Sequence, residues 1–256
     1  LILARGDTFL YFYPYWQVAA DALRVGRIPL WNPDIFMGAP FLANSQVGFF
    51  YPLNWPVWLL LRTPYAVSAS ILIHLFIAGS GTYWAGRRTL NLSHAAALVA
   101  ATSFALGGYL TAQVEHINQL QGLAWLPWFF VSLAPVVASP DVAPSGRAIA
   151  RSILLIGTLF ALQLLAGHTQ TAFISGVAVA LWLVVHVVQN MPRAGAGRYR
   201  QLAWLVIVLA AGVALAAMLA AVQLLPTLEL TGFSSRQGGL SLNEVLSFSW
   251  HPIHLT

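Results

Sequence analysis

The chain has 256 residues, of which 59% are hydrophobic and only 7% charged, and its mean hydropathy is +0.74. Soluble domains carry about 25% charged residues, so this composition argues against that class and indicates a membrane protein. The formal net charge is +5, every basic residue is arginine, and the absence of cysteine excludes disulfides and thiolate metal sites within the chain.

The first 63 residues form a polar, aromatic-rich stretch that opens with a carboxylate at Asp7. Residues 8–25 combine aromatic side chains with helical spacing, which predicts a helix lying along the membrane interface. Glycine and proline then interrupt regular structure, and aromatic residues return at 51–58, as expected at a lipid headgroup boundary. A carboxylate at the mouth of a membrane bundle is costly to keep there, so Asp7 is the first candidate for chemistry.

From residue 64 onward, apolar stretches close to bilayer length recur, each interrupted by a short polar segment. The predicted fold is all-α: a polytopic transmembrane helical bundle at 64–225, after a long first extracytoplasmic loop at 1–63 with interfacial helices and before the start of an extracytoplasmic segment at 226–256. Small residues four apart, such as Gly157 and Ala161, predict close helix packing. The six predicted spans are roughly 64–86, 93–112, 120–138, 151–167, 171–189 and 203–225.

The placement of arginines predicts the orientation of the bundle. The connections after the first, third and fifth spans hold seven arginines and a single acid, Asp141. By the positive-inside rule these connections are cytoplasmic. The other six acids then lie on the opposite side, so the pI near 10.0 reflects topology rather than nucleic-acid binding. The seven arginines are Arg87, Arg88, Arg147, Arg151, Arg193, Arg198 and Arg200.

The predicted extracytoplasmic side gathers polar side chains from segments far apart in the sequence. Ionisable groups at the mouth of a bundle usually face its interior or a water-filled cavity, so we expect these groups to share one layer with Asp7. Amides suit the hydroxyl groups of a sugar, and aromatic faces suit its C–H surface. The candidate substrate-binding residues are Glu115, His116, His168, Gln170, Arg236, Asn44 and Gln46. We interpret His74 and His186, within or at the end of spans, as packing residues.

The two ends of the sequence indicate a segment of a longer protein. The chain starts without methionine, and residues 1–4 resemble the last turn of an earlier span. It stops shortly after Trp250 without a concluding element. We therefore expect further sequence on both sides.

Short motifs follow one another in a fixed order through nearly the whole chain. They are Gly6-Asp7, Tyr13-Pro14, 26–33, 38–40, Ala43-Asn44, 50–52, 107–109, 115–118, 125–127, 167–170 and 223–230. Together these motifs resemble the bacterial YfhO-type membrane proteins. Thr169 departs from the pattern, because such proteins often carry proline there.

That family resembles the GT-C glycosyltransferases, multi-span enzymes that use polyprenyl-phosphate sugars on the outer face of the membrane. The resemblance implies that Asp7 is the catalytic acidic residue of the first outer loop. It also implies a polyprenyl-phosphate sugar lipid and an envelope glycan or glycopolymer acceptor as partners, in a bacterial cell membrane. Many GT-C enzymes have paired acids, whereas Gly6-Asp7-Thr8 has one. A divalent metal, Mg²⁺ or Mn²⁺, is left open, with Glu115 as a second ligand if the fold brings it close.

The resulting hypothesis is inverting glycosyl transfer with Asp7 as general base. Arg236 is the first candidate to bind the departing lipid phosphate, because a guanidinium forks onto phosphate oxygens, and His168 and His116 are second choices. Two other classes stay open. One is a transporter or flippase of lipid-linked saccharides, which predicts polar groups at mid-bilayer depth and inverted repeats. The other is a non-catalytic envelope-assembly protein in which Asp7 caps a helix or pairs with Arg5.

Overall fold

The computed structural model describes residues 6–138, 143–190, 197–234, 239 and 241–247. Helices dominate this part of the chain. A π-helical turn at Thr8–Phe12 precedes the first α-helix, and 3₁₀ turns lie at Ser45–Val47 and Gln113–Glu115. The α-helices are α1 (Tyr13–Arg24), α2 (Asn54–Leu60), α3 (Thr63–Thr89), α4 (His94–Ala105), α5 (Gly108–Ala112), α6 (Ile117–Leu123), α7 (Leu126–Val137), α8 (Gly146–Leu165), α9 (Thr169–Asn190), α10 (Gly197–Gly232) and α11 (Leu242–Leu246).

Six helical segments of the described chain are long and apolar enough to cross a membrane. This confirms the prediction of an all-α, multi-pass helical bundle and its number of spans. The segments are Thr63–Thr89, His94–Glu115, Ile117–Val137, Gly146–Leu165, Thr169–Gln189 and Tyr199–Gly232.

The second and third of these segments are broken rather than continuous. The second is interrupted before Gly108 and tightens to a 3₁₀ turn, and the third is divided between α6 and α7, where Pro127 lies in the first turn. Residues 113–119, which lie between the predicted second and third spans, are therefore mostly helical. Only His116 separates the two observed segments. The non-helical backbone of these breaks lies within the two segments, at 106–107 and 124–125.

The last span continues beyond its predicted end. Pro226 lies inside α10, which runs on to Gly232. A proline removes one helical hydrogen bond, and here neighbouring side chains hold the same region to the first loop. Gln223 Nε2 donates to the Leu42 carbonyl at 2.9 Å, and Thr227 Oγ1 donates to the Ala43 carbonyl at 2.9 Å. The far end of α10 thus fixes the position of the loop before Asn44.

The stretch before α3 packs on the bundle through large aromatic side chains. Trp16 of α1 and Trp58 of α2 are buried and meet edge to face, with ring centroids 5.4 Å apart. Arg24 joins the ends of the same two helices, because its guanidinium donates to the carbonyls of Trp58 at 2.7 Å and Leu61 at 2.8 Å. The predicted loop is therefore an ordered cap on one end of the bundle.

A small hairpin in this cap was not predicted. Strand β1 (Trp31–Asn32) pairs antiparallel with β2 (Ala39–Pro40). The connecting turn has positive φ at Phe36 and Met37, and both side chains are exposed. Strands of two residues carry no alternating pattern that sequence could reveal.

A buried polar network ties the cap to the helices. The Tyr51 hydroxyl lies 2.7 Å from His74 Nε2, and Trp125 Nε1 donates to the same hydroxyl at 2.9 Å. His74 Nδ1 lies 2.6 Å from the Ser70 carbonyl, so this nitrogen is the donor and Nε2 accepts from Tyr51. Gln121 donates to Ser70 Oγ at 3.0 Å. His74 is therefore a paired packing residue, as the sequence indicated.

Helices α8 and α10 pack closely at small residues, as the sequence predicted. Gly212 of α10 lies against Ile156 and Gly157 of α8, where even a methyl group at either glycine would collide with the facing helix. Small residues let two helix backbones approach closely, so dispersion contacts replace the missing hydrophobic drive in lipid.

Candidate functional site

A cavity of about 310 Å³ lies at the end of the bundle that carries the cap. We call this the Asp7 end. It is the opposite end from Arg87 and Arg88, which close α3. Three separate parts of the chain supply its walls: the π-helical turn with the residue before it, the loop before Gly48, and the connections between spans near His116 and His168. The lining residues are Asp7, Tyr11, Phe12, Gln46, His116, Asn118 and His168.

Asp7 contacts His116 across this cavity. Asp7 Oδ2 lies 3.4 Å from His116 Nε2, and the two side chains are 58% and 45% exposed, respectively. The next residue fixes this pairing, because Thr8 Oγ1 donates to the Val114 carbonyl at 3.0 Å and Thr8 is buried. The cavity is therefore open to water at Asp7.

Glu115 lies beside the backbone that precedes Asp7. Its carboxylate packs against Gly6, where a methyl group would collide with it, and Gly6 has a φ of +49°. Glu115 therefore lies next to the residue that precedes Asp7, but it does not line the cavity.

The metal that the resemblance left open finds no full ligand set here. Among the described residues, no group of three or more His, Asp or Glu side chains is placed to hold a metal ion. Mg²⁺ and Mn²⁺ prefer several oxygen ligands, and the cavity is lined by one carboxylate side chain, Asp7, and two amide side chains, Gln46 and Asn118.

The turn between α8 and α9 positions His168 through close backbone packing. Gly167 has a φ of +87°, and a methyl group there would run into the Ser45 carbonyl. The Ser45–Gln46 backbone therefore packs directly against this turn, and Gln46 and His168 line the same cavity. Thr171 Oγ1 donates to the His168 carbonyl at 2.7 Å and holds the first turn of α9.

His168 offers an unsatisfied hydrogen-bonding atom at the cavity. Its Nδ1 is buried and has no hydrogen-bond partner among the described residues. Burial lowers the pKa of His168, and the nearby His116 lowers it further. A lowered pKa favours the neutral imidazole near pH 7, which can donate one hydrogen bond without adding a charge.

Asn44 braces the cavity wall rather than lining it. Its Nδ2 donates to the Tyr11 hydroxyl at 2.6 Å, and its Oδ1 accepts from the Gln46 backbone at 3.3 Å. Burial raises the pKa of Tyr11, so the phenol stays neutral. Tyr11 also stacks on Tyr15, with ring centroids 4.4 Å apart. Asn44 therefore holds Tyr11 and Gln46 in place together.

Two predicted site residues remain, Gln170 and Arg236, and three residues that line the cavity were not predicted. Gln170 is exposed at the start of α9 and is not among the lining residues. Arg236 lies outside the described residues. Tyr11, Phe12 and Asn118 line the cavity although the sequence did not single them out as site residues. Asn118 belongs to the polar stretch between the predicted second and third spans, and its place beside Glu115 and His116 in the sequence could have indicated it.

We expect His168 to make the stability of the protein depend on pH. Because its pKa is lower in the folded state than in the unfolded chain, the unfolded state binds its proton first as the pH falls. The stabilising effect is complete above the ordinary histidine pKa of about 6.5 and is lost as the pH falls through the folded value. We expect the melting temperature to decrease on acidification from pH 7.5, and His168→Gln to flatten that decrease.

The measurement is thermal unfolding in detergent across this pH range. His94→Gln is the matched control, because His94 is exposed at the other end of the bundle. An unchanged pH dependence in His168→Gln would show that other groups dominate.

The resemblance to known families stays a prediction, since neither a protein-family model, nor a curated protein, nor a solved structure matches this chain.

Proposed function

We propose that the protein is a membrane glycosyltransferase that moves a sugar from a polyprenyl-phosphate donor to an envelope acceptor on the extracytoplasmic face. The observation that carries the proposal is the cavity at the Asp7 end, where Asp7 contacts His116 and where the buried Nδ1 of His168 has no partner in the described part of the chain. A general base and hydrogen-bond donors beside a membrane bundle are the groups that transfer from a lipid phosphate requires.

In the proposed step, the acceptor hydroxyl oxygen attacks C1 of the sugar from the side opposite to the lipid phosphate. The Asp7 carboxylate takes the hydroxyl proton as the new C–O bond forms. The bond between C1 and the phosphate oxygen breaks, and its electron pair leaves with the lipid phosphate. The product has inverted configuration at C1, because one displacement occurs.

The two histidines have different roles in this proposal. His116, 3.4 Å from Asp7, orients the carboxylate toward the acceptor. His168 donates a hydrogen bond to the departing phosphate or to a sugar hydroxyl, since its lowered pKa favours the neutral imidazole and that form still carries one N–H donor. Arg236 remains the proposed cationic contact of the phosphate, and Gln46 and Asn118 offer amides to sugar hydroxyls.

One observation favours the alternative function, a transporter or flippase of lipid-linked saccharides. Polar side chains are buried within the spans, since Gln121 and His74 belong to one hydrogen-bonded network and Gln163 donates to Ser175 Oγ at 2.7 Å. These side chains are hydrogen-bonded inside the bundle, although Gln163 Oε1 is buried without a partner among the described residues, and none of them lines the cavity at the Asp7 end. A saccharide path would need polar atoms that face open space, so the observation favours transport less than the cavity favours transfer.

The test uses the natural full-length protein in liposomes that contain a radiolabelled polyprenyl-phosphate sugar. We expect label to appear in an added glycan acceptor together with free polyprenyl phosphate. A nucleotide sugar serves as the control donor and should give no product. Movement of intact donor between leaflets without bond cleavage would support the flippase, and absence of both activities would contradict both proposals.

A further inference from the structure

A groove at the arginine-rich end of the bundle lies between α3, α7 and α8. It has a volume of about 370 Å³, and its walls are mostly apolar, with Trp128 and Leu162 among them. Two arginines, Arg88 of α3 and Arg151 of α8, line the same groove. This site is at the opposite end from Asp7 and takes no part in the proposed transfer.

The length of the groove corresponds to one leaflet of a bilayer. Trp128 Nε1 donates to the Ile77 carbonyl at 3.0 Å, and Arg88 follows Ile77 by eleven residues on α3. On α8, Leu162 likewise follows Arg151 by eleven residues. Eleven helical residues span about 16 Å, which is close to half of the roughly 30 Å hydrocarbon thickness. The α3 and α8 walls of the groove therefore both extend from an arginine at the rim to about the depth in the bilayer that one acyl chain reaches.

The rim of the groove is cationic and has no compensating acid in the described part of the chain. Arg88 and Arg151 are exposed, and no described carboxylate lies within ion-pair distance of either guanidinium. Arg88 lies over the Trp84 ring, with its Cζ 5.0 Å from the centroid. Arginine binds phosphate oxygens in a bidentate manner, so two such groups at one rim favour a phosphate-bearing headgroup.

A second cavity next to this rim adds polar groups. It has a volume of about 340 Å³ and is lined by Arg88 together with Thr89 and Asn91. Arg88 is thus shared between an apolar groove and a polar recess. A hydroxyl and an amide beside a guanidinium can bond the glycerol or sugar portion of a lipid headgroup.

We propose that this groove binds one anionic phospholipid of the leaflet at the arginine-rich end. The phosphate lies between Arg88 and Arg151, one acyl chain follows the groove toward Trp128, and the headgroup enters the recess beside Asn91. Basic clefts between transmembrane helices are suited to such headgroups, because lipid phosphate and acyl chain are recognised together.

The test is native mass spectrometry of the natural full-length protein in detergent, titrated with phosphatidylglycerol or with phosphatidylcholine of the same chains. We expect phosphatidylglycerol to bind more tightly. An arginine at the membrane surface contributes about fivefold to such binding, so Arg88→Gln with Arg151→Gln should weaken it about 30-fold. Arg147→Gln is the matched control, because Arg147 is exposed one helical turn before Arg151 and does not line the groove.

A second variant tests the acyl-chain half of the proposal without changing a charge. Thr158 is exposed in the groove, so Thr158→Phe should block the chain and weaken phosphatidylglycerol binding. It also decides the question if the double arginine variant does not fold. Equal binding of both lipids, or unchanged binding in Thr158→Phe, would overturn the proposal. Competition by glycerol phosphate as strong as by phosphatidylglycerol would overturn it too, in favour of a soluble anion.

Discussion

Replacing Asp7 with asparagine is expected to lower sugar transfer from a polyprenyl-phosphate donor by about two to four orders of magnitude. The substitution keeps the size of the side chain and its contact with His116, but an amide cannot accept the proton of the acceptor hydroxyl. Initial rates of the natural full-length protein at saturating donor and acceptor would measure the effect. The loss should fall on kcat, because the base acts in the transition state more than in substrate binding.

Asp34→Asn is the matched control for this substitution. Asp34 is an exposed acid on the same cap, outside the cavity, and the Asn32 side chain bonds its backbone nitrogen rather than its carboxylate. Its transfer rate should stay close to that of the natural protein. Near-normal transfer by Asp7→Asn would eliminate the proposed base.

Glu115→Gln separates the two neighbouring carboxylates. Glu115 packs against Gly6 and does not line the cavity, so we expect a smaller loss of rate than for Asp7→Asn. If Glu115→Gln were the more damaging change, the base would have to be reassigned to Glu115, and Asp7 would become a positioning residue.

The sequence revealed the spans more easily than their interruptions. Apolar length is a signal that a membrane imposes over about twenty residues, and it predicted six spans correctly. The breaks near Gly108 and Pro127 depend on a few residues each. Pro226 shows the converse, because a proline that could have ended α10 lies within it. There the hydrogen bonds of Gln223 and Thr227 to the loop favour continuation, and these are tertiary contacts.

The site was predictable as a layer and not as a set of contacts. Asp7, His116 and His168 were expected at one end of the bundle, and the structure places all three around one cavity. Tyr11 looked like an interfacial aromatic residue, because its role depends on a hydrogen bond with Asn44 from another segment. Gln170 looked equivalent to His168, but His168 lies in the turn before α9 whereas Gln170 lies in its first turn and is exposed.

Gly167→Ala should both destabilise the protein and disrupt the cavity. A left-handed backbone costs a residue with a side chain about 1–2 kcal/mol, and here the added methyl group would also collide with the Ser45 carbonyl. Backbone atoms cannot rotate away as a flexible side chain can, so the Ser45–Gln46 segment would have to lift from the turn. We therefore expect a melting temperature several degrees lower in detergent and a further loss of sugar transfer.

Gly176→Ala provides the matched control for this prediction, because Gly176 lies within α9 and a methyl group there meets no atom within 4 Å. Alanine is the better helix former by about 1 kcal/mol, so this variant should melt at the same temperature as the natural protein or higher. Equal melting temperatures and equal transfer rates for Gly167→Ala and the natural protein would mean that the turn does not depend on its contact with Ser45. In that outcome the position of His168 beside Gln46 would need another cause, and its proposed contact with the departing phosphate would lose its structural basis.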